Sequence, residues 1–149
     1  MKTIGELLKL SHEFLAGKKI EHPRRTAEEL IAHVLQLKRM DLYLQFDKPV
    51  IDAETQILRE MLKKVANNTP LAYVLGEVSF FHCRIKVDAR ALIPRPETEI
   101  LVEMISKRIS SGTLWDVCTG SGCIGIALKK AHPDLDVTLS IMRTPFVPY

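Results

Sequence analysis

The sequence predicts an α+α/β protein, with a small N-terminal helical bundle, a β-hairpin linker and an incomplete α/β unit. Three observations lead to this fold class. Apolar residues recur at helical spacing through the first half of the chain, and the period changes to alternation after Gly76. After Gly112 a strand, a glycine-rich loop, a helix and another strand follow in turn. Because that order is typical of βαβ units, we expect the strands to be parallel.

The first half of the chain predicts helices with defined starts. Thr3 and Thr26 each stand three positions before a glutamate, the pattern of a capping box, in which a hydroxyl and a carboxylate satisfy free amides at a helix start. Pro70 is expected in the first turn of the last helix, which Gly76 ends. A short turn of helix is expected over Asp41 to Phe46, and a longer helix from Asp52. Three apolar stripes are expected to form the core: Ile4, Leu7, Leu8 and Leu15; Ala27, Leu30, Ile31, Val34 and Leu35; and Ile57, Leu58, Met61, Leu62 and Val65 in the helix from Asp52.

The second half predicts mixed structure. The segment EVSFFHCRIKVD alternates on both sides of His82-Cys83, as a hairpin does. Pro94 and Pro96 are expected to keep the chain extended at the entry to a helix, and Gly112 is expected to end that helix. Glu103 and Lys107 are expected to form an i,i+4 ion pair on it. The expected buried face of that helix is Ile100, Leu101, Met104, Ile105 and Ile109, and the βαβ elements that follow are Thr113–Val117, Ile124–Ala131 and Leu135–Leu139.

Composition excludes several classes of protein. The net charge of +3 is too small to indicate nucleic-acid binding. The 3 cysteines form no CxxC pair, so neither a disulfide framework nor a zinc site is expected, and a reducing compartment is the simplest interpretation. The N-terminus lacks the apolar core of a signal peptide, and no stretch approaches the roughly 20 apolar residues that span a bilayer. We therefore expect a cytoplasmic protein with no membrane, metal or direct nucleic-acid partner.

The glycine loop is the strongest indication of chemistry. Gly120, Gly122 and Gly125 satisfy the spacing G-x-G-x-x-G between a strand and a helix, where glycines allow a cofactor to approach the backbone. A carboxylate at Asp116 would repel a pyrophosphate but would attract the sulfonium and amino groups of S-adenosylmethionine. The pattern therefore favours S-adenosylmethionine over a nicotinamide dinucleotide, and a tight turn without any ligand stays open.

Two longer segments carry a family resemblance. PLAYVLGEVSFFHCRIKVDARALIPRPETEILVE and DVCTGSGCIGIAL closely resemble the glutamine methyltransferases that modify peptide chain release factors, the HemK/PrmC family. The resemblance implies a helical domain at 1–75 that recognises the release factor, a hairpin linker at 76–93 and a Rossmann-like S-adenosylmethionine-dependent methyltransferase domain at 94–149, truncated in this chain. It also implies a monomer that methylates the glutamine side-chain amide in the Gly-Gly-Gln loop of class 1 release factors.

The resemblance also assigns site residues. The family's cofactor loop corresponds to Cys118, Thr119, Gly120, Ser121 and Gly122, which follow Asp116; glycine is commoner in the family at the position of Cys118. The family's signature segment, beside the cofactor and substrate site, corresponds to Arg95, Pro96, Glu97, Thr98 and Glu99. For that segment a purely structural role, as a proline-fixed helix entry, is an equally good interpretation.

From Ile141 onward the sequence departs from the family pattern. The family places an acid that holds the cofactor ribose where Ile141 stands. It also needs a later Asn-Pro-Pro-Tyr loop, which Pro145 to Tyr149 resembles only weakly, without an asparagine. A frameshift or premature stop would produce this tail. We expect no catalytic residues in this chain, no methyl transfer, and a C-terminal third that is poorly stable alone. The alternatives are a non-catalytic release-factor-binding module, a nicotinamide-dependent oxidoreductase and an adenine methyltransferase acting on DNA.

Overall fold

The computed structural model describes residues 1–141, which form two units that divide between Leu75 and Gly76. The first unit is helical and carries one short antiparallel strand pair. The second contains an antiparallel hairpin and a parallel strand pair. The elements of the first unit are β1 (Lys2–Thr3), α1 (Ile4–Gly17), α2 (Pro23–Val34), α3 (Asp41–Leu44), β2 (Pro49–Val50), α4 (Asp52–Ala66) and α5 (Leu71–Leu75). Those of the second are β3 (Glu77–Phe80), β4 (Cys83–Lys86), α6 (Pro96–Ser106), β5 (Gly112–Val117), α7 (Cys123–Ala131) and β6 (Leu135–Ser140).

Helix α1 begins as the sequence predicts. The amide of Glu6 donates to Thr3 Oγ1 at 3.3 Å, and the amide of Thr3 donates to Glu6 Oε2 at 3.0 Å, which confirms the capping box. The capping box predicted at Thr26 is wrong. Helix α2 already begins at Pro23, because a proline is preorganised for the first helical position, and Thr26 lies buried inside the helix.

The core of the helical unit is formed by α1, α2 and α4, as their apolar stripes predict. Its buried members are Ile4, Leu7, Leu15, Ala27, Leu30, Ile31, Ala32, Leu42, Val50, Leu58, Met61, Leu62 and Val65. Ile57 was expected among them but is 54% exposed, and Thr55 is buried instead. The stripe on α4 is therefore one residue narrower than the apolar pattern indicates.

Gly5 is the one glycine inside the first turns of α1, and its position has a packing reason. A Cβ added there would lie 2.1 Å from Cε1 of Phe46, closer than any real contact. The aromatic ring therefore lies directly against the helix backbone, and the amide of Gly5 donates to the carbonyl of Phe46 at 2.9 Å. Glycine lowers helix stability by roughly 1 kcal/mol relative to alanine. The packing of Phe46 against the backbone at Gly5 offsets that cost.

The hairpin turns one residue earlier than the sequence predicts. Phe80 pairs with Cys83, which leaves Phe81 and His82 as the turn residues, with φ of 42° and 61°. Positive φ at both central positions is the geometry of a type I′ turn, whose twist matches that of the strands. Cys83 therefore belongs to β4 and is buried, rather than to the turn.

Helix α6 exposes most of the face that its sequence predicts to be buried. Its one fully buried residue is Val102, while Ile100, Leu101 and Met104 are exposed among the described residues. The face turned inward is rotated by about one position, because α6 packs on α7. The helix also ends at Ser106 rather than at Gly112, which begins β5 with a φ of +106°. The predicted pair of Lys107 with Glu103 is present at 2.6 Å.

Strands β5 and β6 are parallel and in register from the pair Gly112–Leu135 to the pair Val117–Ser140, as expected. Helix α7 crosses between them and packs on β6. The ammonium of Lys129 donates to the carbonyls of Pro133 and Leu135, which joins the end of α7 to the start of β6. The carboxyl ends of both strands therefore lie at one edge of the pair.

The packing at Gly5 gives a stability prediction. We expect Gly5→Ala to lower the free energy of unfolding by about 1–3 kcal/mol, because the new methyl group would overpack against Phe46. The matched control is Gly17→Ala in the same helix, where no atom lies within 4 Å of the added Cβ, and it should be neutral or slightly stabilising. Urea unfolding followed by circular dichroism measures both. Equal effects of the two substitutions would contradict the close approach.

The segment after the hairpin gives a pH prediction. The side chain of Arg90 donates to both carboxylate oxygens of Asp88 and lowers the pKa of Asp88 from 3.8 to about 2. Because the folded pKa is depressed, this interaction stabilises the fold above pH 3.8 and its contribution is lost as the pH falls through about 2. NMR titration should show that midpoint in the wild type and a higher one in Arg90→Gln. Arg108→Gln, the control, should leave it unchanged.

Candidate functional site

The glycine loop, residues 118–122, connects the carboxyl end of β5 to the start of α7. In open α/β sheets the crevice outside the carboxyl ends of parallel strands is where ligands bind. The amide of Thr119 donates to the carbonyl of Ser140 at 3.0 Å, so the loop is fastened to the end of β6 as well. The five predicted loop residues therefore lie together at the expected edge.

Asp116, near the end of β5, organises this loop. Its Oδ2 accepts a hydrogen bond from Thr119 Oγ1 at 2.6 Å and another from the amide of Gly125 at 3.0 Å. The first bond closes the loop and the second fastens the first turn of α7 to the strand. A carboxylate beside a helix N-terminus is also favoured by the helix dipole. The contacts therefore give Asp116 a loop-ordering role, and its attraction for a cationic cofactor stays a prediction.

Three backbone positions of the loop adopt left-handed conformations. Gly120 and Gly122 have φ of 57° and 79°, and Cys118 has a φ of 60°. Glycine populates this region freely, whereas a residue with a Cβ pays a steric cost there. Cysteine at 118 is therefore accommodated with backbone strain, because any Cβ is unfavourable in the left-handed conformation.

The glycines of the motif serve different purposes. A Cβ added at Gly120 would meet no atom within 4 Å, so this position opens to the outside of the loop. A Cβ at Gly125 would lie 2.3 Å from Cδ2 of Leu139 and 3.1 Å from Cγ1 of Val137. Gly125 therefore allows α7 to approach β6, the role of the third glycine in a nucleotide-binding loop. The sequence identified the spacing, and Gly125 belongs with the site for this packing reason.

The first turn of α7 has donors to offer a ligand. Within residues 1–141, no acceptor is found for the amides of Cys123 and Ile124, which lie next to Gly122 at the helix start. Free amides at a helix N-terminus attract carboxylates and phosphates. Together with the open side of Gly120, they form an anion-compatible cradle at the loop.

Ile141 follows β6 directly, beside the loop, and is 63% exposed. That this is the position of the family's ribose-holding acid stays a prediction. An aliphatic side chain cannot accept hydrogen bonds from ribose hydroxyls. The end of β6 therefore supplies no side-chain hydrogen-bond acceptor at this position.

The segment from Arg95 to Glu99 forms the start of α6. Arg95 is the N-cap with an extended backbone, Pro96 occupies the first turn, and the amide of Thr98 donates to the carbonyl of Arg95 at 3.0 Å. Over the described residues, no hydrogen bond or ion pair joins this segment to the glycine loop. The structure thus shows its helix-entry role, and its place beside a cofactor or substrate stays a prediction.

Further observations bear on the functional alternatives. None of the described helices combines the length and apolar character needed to cross a membrane. Residues 1–141 contain no group of three or more His, Cys, Asp or Glu side chains arranged to hold a metal ion. The three cysteines are free thiols, and only Cys118 is exposed. The segment from Pro145 to Tyr149, which weakly resembles the family's catalytic loop, lies outside the described residues.

Comparison with known proteins relates most of the chain to one group. The PrmC N-terminal domain family matches residues 6–76. The release factor glutamine methyltransferase of Leptospira interrogans is 42% identical over 142 residues, 93% of this chain and 50% of that protein. Those of Chlorobaculum tepidum and Nitratidesulfovibrio vulgaris are 40% and 36% identical over 91% and 96% of this chain, and 49% of each relative is covered. The chain spans about half the length of the curated relatives that it matches.

The strained position in the loop gives a stability prediction. We expect Cys118→Gly to raise the free energy of unfolding by up to about 1–2 kcal/mol, because glycine removes the Cβ clash of the left-handed conformation. Cys118→Ala is the control, since it removes the thiol but keeps the Cβ, and it should leave stability unchanged. Thermal and urea unfolding measure both variants. Stabilisation by alanine equal to that by glycine would show that the thiol, not the backbone, is the cause.

Proposed function

The chain belongs to the family of release factor glutamine methyltransferases, and from this premise we propose that it carries two of the parts such an enzyme needs. The glycine loop binds S-adenosylmethionine, and the helical unit binds a class 1 peptide chain release factor. The observation that carries the cofactor assignment is the loop at the carboxyl ends of β5 and β6, ordered by Asp116 and open at Gly120.

The residues present fit part of S-adenosylmethionine. The amides of Cys123 and Ile124 suit the carboxylate of its methionine portion, and the open backbone at Gly120 allows close approach. The side chain of Asp116 places negative charge beside the loop, which suits a cofactor with cationic groups and disfavours the pyrophosphate of a nicotinamide dinucleotide. Ile141 is the exception, since it offers no acceptor to the ribose hydroxyls.

When bound, S-adenosylmethionine supplies an electrophilic methyl group on its sulfonium sulfur. In the proposed reaction of the family, the acceptor is the side-chain amide nitrogen of the glutamine in the Gly-Gly-Gln loop of the release factor. The contribution of this chain is to bind and orient, through the loop on β5 and the helical unit. Positioning is the main source of acceleration in such a transfer.

We further propose that these 149 residues by themselves bind cofactor and release factor without transferring the methyl group. Their sequence contains no Asn-Pro-Pro-Tyr segment, whose asparagine and backbone carbonyl would hold the glutamine amide in the family. On this proposal these residues form a release-factor-binding module of a monomeric, cytoplasmic protein.

Calorimetric titration of the purified chain tests the cofactor assignment. S-adenosylmethionine and S-adenosylhomocysteine should both bind, and NAD⁺ should not. Titration with a class 1 release factor should show binding, and incubation with tritiated S-adenosylmethionine should leave the release factor unlabelled. Binding of NAD⁺ alone would favour the oxidoreductase alternative, and methyl incorporation would refute the claim that these residues do not catalyse.

The end of β6 gives a sharper prediction. We expect Ile141→Asp to bind S-adenosylmethionine roughly tenfold to a hundredfold more tightly than the wild type, because a carboxylate there would accept hydrogen bonds from the ribose hydroxyls, about 1.5–3 kcal/mol. Ile141→Ala is the matched control, since it removes the same apolar surface without adding an acceptor. Equal affinities of the two variants would show that Ile141 does not face the ribose.

A further inference from the structure

The helical unit contains a pocket of about 250 Å³ between α1, α2 and α3 that the proposed cofactor site does not use. Helix α1 lines it with Gly5, Leu8, Lys9 and His12, helix α2 with Arg24 and Glu28, and Tyr43 and Phe46 complete it. From its construction and charge we propose that this α1–α3 pocket docks an acidic side chain, with an apolar neighbour, from a peptide segment of the protein partner. The identity of that partner as a release factor rests on the proposed function.

One wall of the pocket is held by a buried carboxylate. The side chain of Glu28 is 9% exposed. Its oxygens accept hydrogen bonds from Arg24 Nε at 3.2 Å and from the hydroxyl of Tyr43, and they form an ion pair with Arg39 Nε at 3.1 Å. A charge this buried is tolerated only when its partners satisfy it. These three partners satisfy the carboxylate of Glu28, which in turn orients the side chains of Arg24 and Tyr43 at the pocket.

The opposite wall depends on the close approach at Gly5. The ring of Phe46 lies against the backbone of α1, where any side chain at position 5 would displace it. Both aromatic side chains remain about half exposed, Tyr43 at 41% and Phe46 at 46%. They therefore present apolar surface to the pocket while their positions are fixed from behind.

The charges at the pocket are not balanced. Over the described residues, neither Lys9 nor His12 forms an ion pair or a side-chain hydrogen bond. The one acid in the lining, Glu28, is already matched by Arg24 and Arg39. Of the charged lining residues, Lys9 and Arg24 against Glu28 leave one surplus positive charge beside aromatic surface, which is complementary to a carboxylate flanked by an apolar group.

The size and composition of the pocket favour a peptide over other ligands. A volume of about 250 Å³ lies below the range of cofactor pockets and suits one or two side chains. Nucleic acid would need a track of cations along its backbone, and here an acidic side chain lies within a small pocket. An acidic, partly apolar peptide segment meets both constraints.

The first test uses a peptide of defined chemistry, acetyl-(Glu-Leu)₃-amide, with acetyl-(Lys-Leu)₃-amide as its opposite-charge control. Titrated into the ¹⁵N-labelled chain, the acidic peptide should shift the amide resonances of Gly5, Lys9 and Tyr43, and the basic peptide should not. Lys9→Glu should weaken binding of the acidic peptide by roughly tenfold, because it reverses a charge in the pocket lining. Lys63→Glu, the same change at an exposed position of α4, should change affinity less than about twofold.

Folding is controlled by the unfolding midpoint of each variant, and Lys9→Gln provides a milder change that should weaken binding in the same direction. Shifts mapping elsewhere, or equal losses in Lys9→Glu and Lys63→Glu, would overturn the proposal. Tighter binding of labelled oligo-uridine than of the acidic peptide at the same residues would also overturn it, in favour of a nucleic-acid site.

A second titration, with a purified class 1 release factor, separates this proposal from the proposed function. If the release factor binds the wild type and its affinity falls about tenfold in Lys9→Glu, both the pocket and the proposed partner are supported. Release factor that binds both forms equally well leaves the proposed partner in place and rejects the pocket as its docking site. A pocket that binds the acidic peptide in a Lys9-dependent way, with no binding of release factor, supports the pocket and rejects the proposed partner.

Discussion

The arrangement of the candidate site depends on one oxygen, Oδ2 of Asp116, and the two hydrogen bonds that it accepts. The bond from the hydroxyl of Thr119 closes the loop after β5, and the bond from the amide of Gly125 fixes the first turn of α7 to the same strand. Among the side-chain hydrogen bonds of residues 1–141, the one from Thr119 to Asp116 is the one that reaches the positive-φ loop. The open face at Gly120 and the amides of Cys123 and Ile124 lie in the segment between these two contacts and the first turn of α7.

A second carboxylate has a comparable role in the helical unit. Glu28 is buried and brings together side chains from the start of α2, the following loop and α3. Each acid accepts hydrogen bonds from more than one segment of the chain, and a carboxylate has the lone pairs to do so. The ion pairs on exposed surfaces, such as Lys107 with Glu103, contribute far less to the architecture.

The fold was largely predictable where local physics decides the outcome. The Thr3 capping box and the position of the loop follow from residues close together in sequence, and the parallel pairing of β5 and β6 follows from the order strand, helix, strand. The errors occur where a preference had competitors. At the start of α2, a proline at position 23 determines the boundary that Thr26 would otherwise mark. On α6 the stripe is apolar as predicted, but burial depends on the elements that pack against the helix, and within the described residues Val102 is the member that is buried.

The candidate site divides in the same way. The sequence by itself determined the residue types at the loop, the spacing of its glycines and the family to which the chain belongs, because these are properties of the local chain. Only the tertiary structure decided what each residue does. It gave Asp116 a loop-ordering role, strained the backbone at Cys118, made Gly125 a packing contact against Leu139, and set Lys9 beside Tyr43 and Phe46 in a pocket. The physical reason is that hydrogen bonds, clashes and pockets join residues far apart along the chain, and their partners are chosen only when the elements pack.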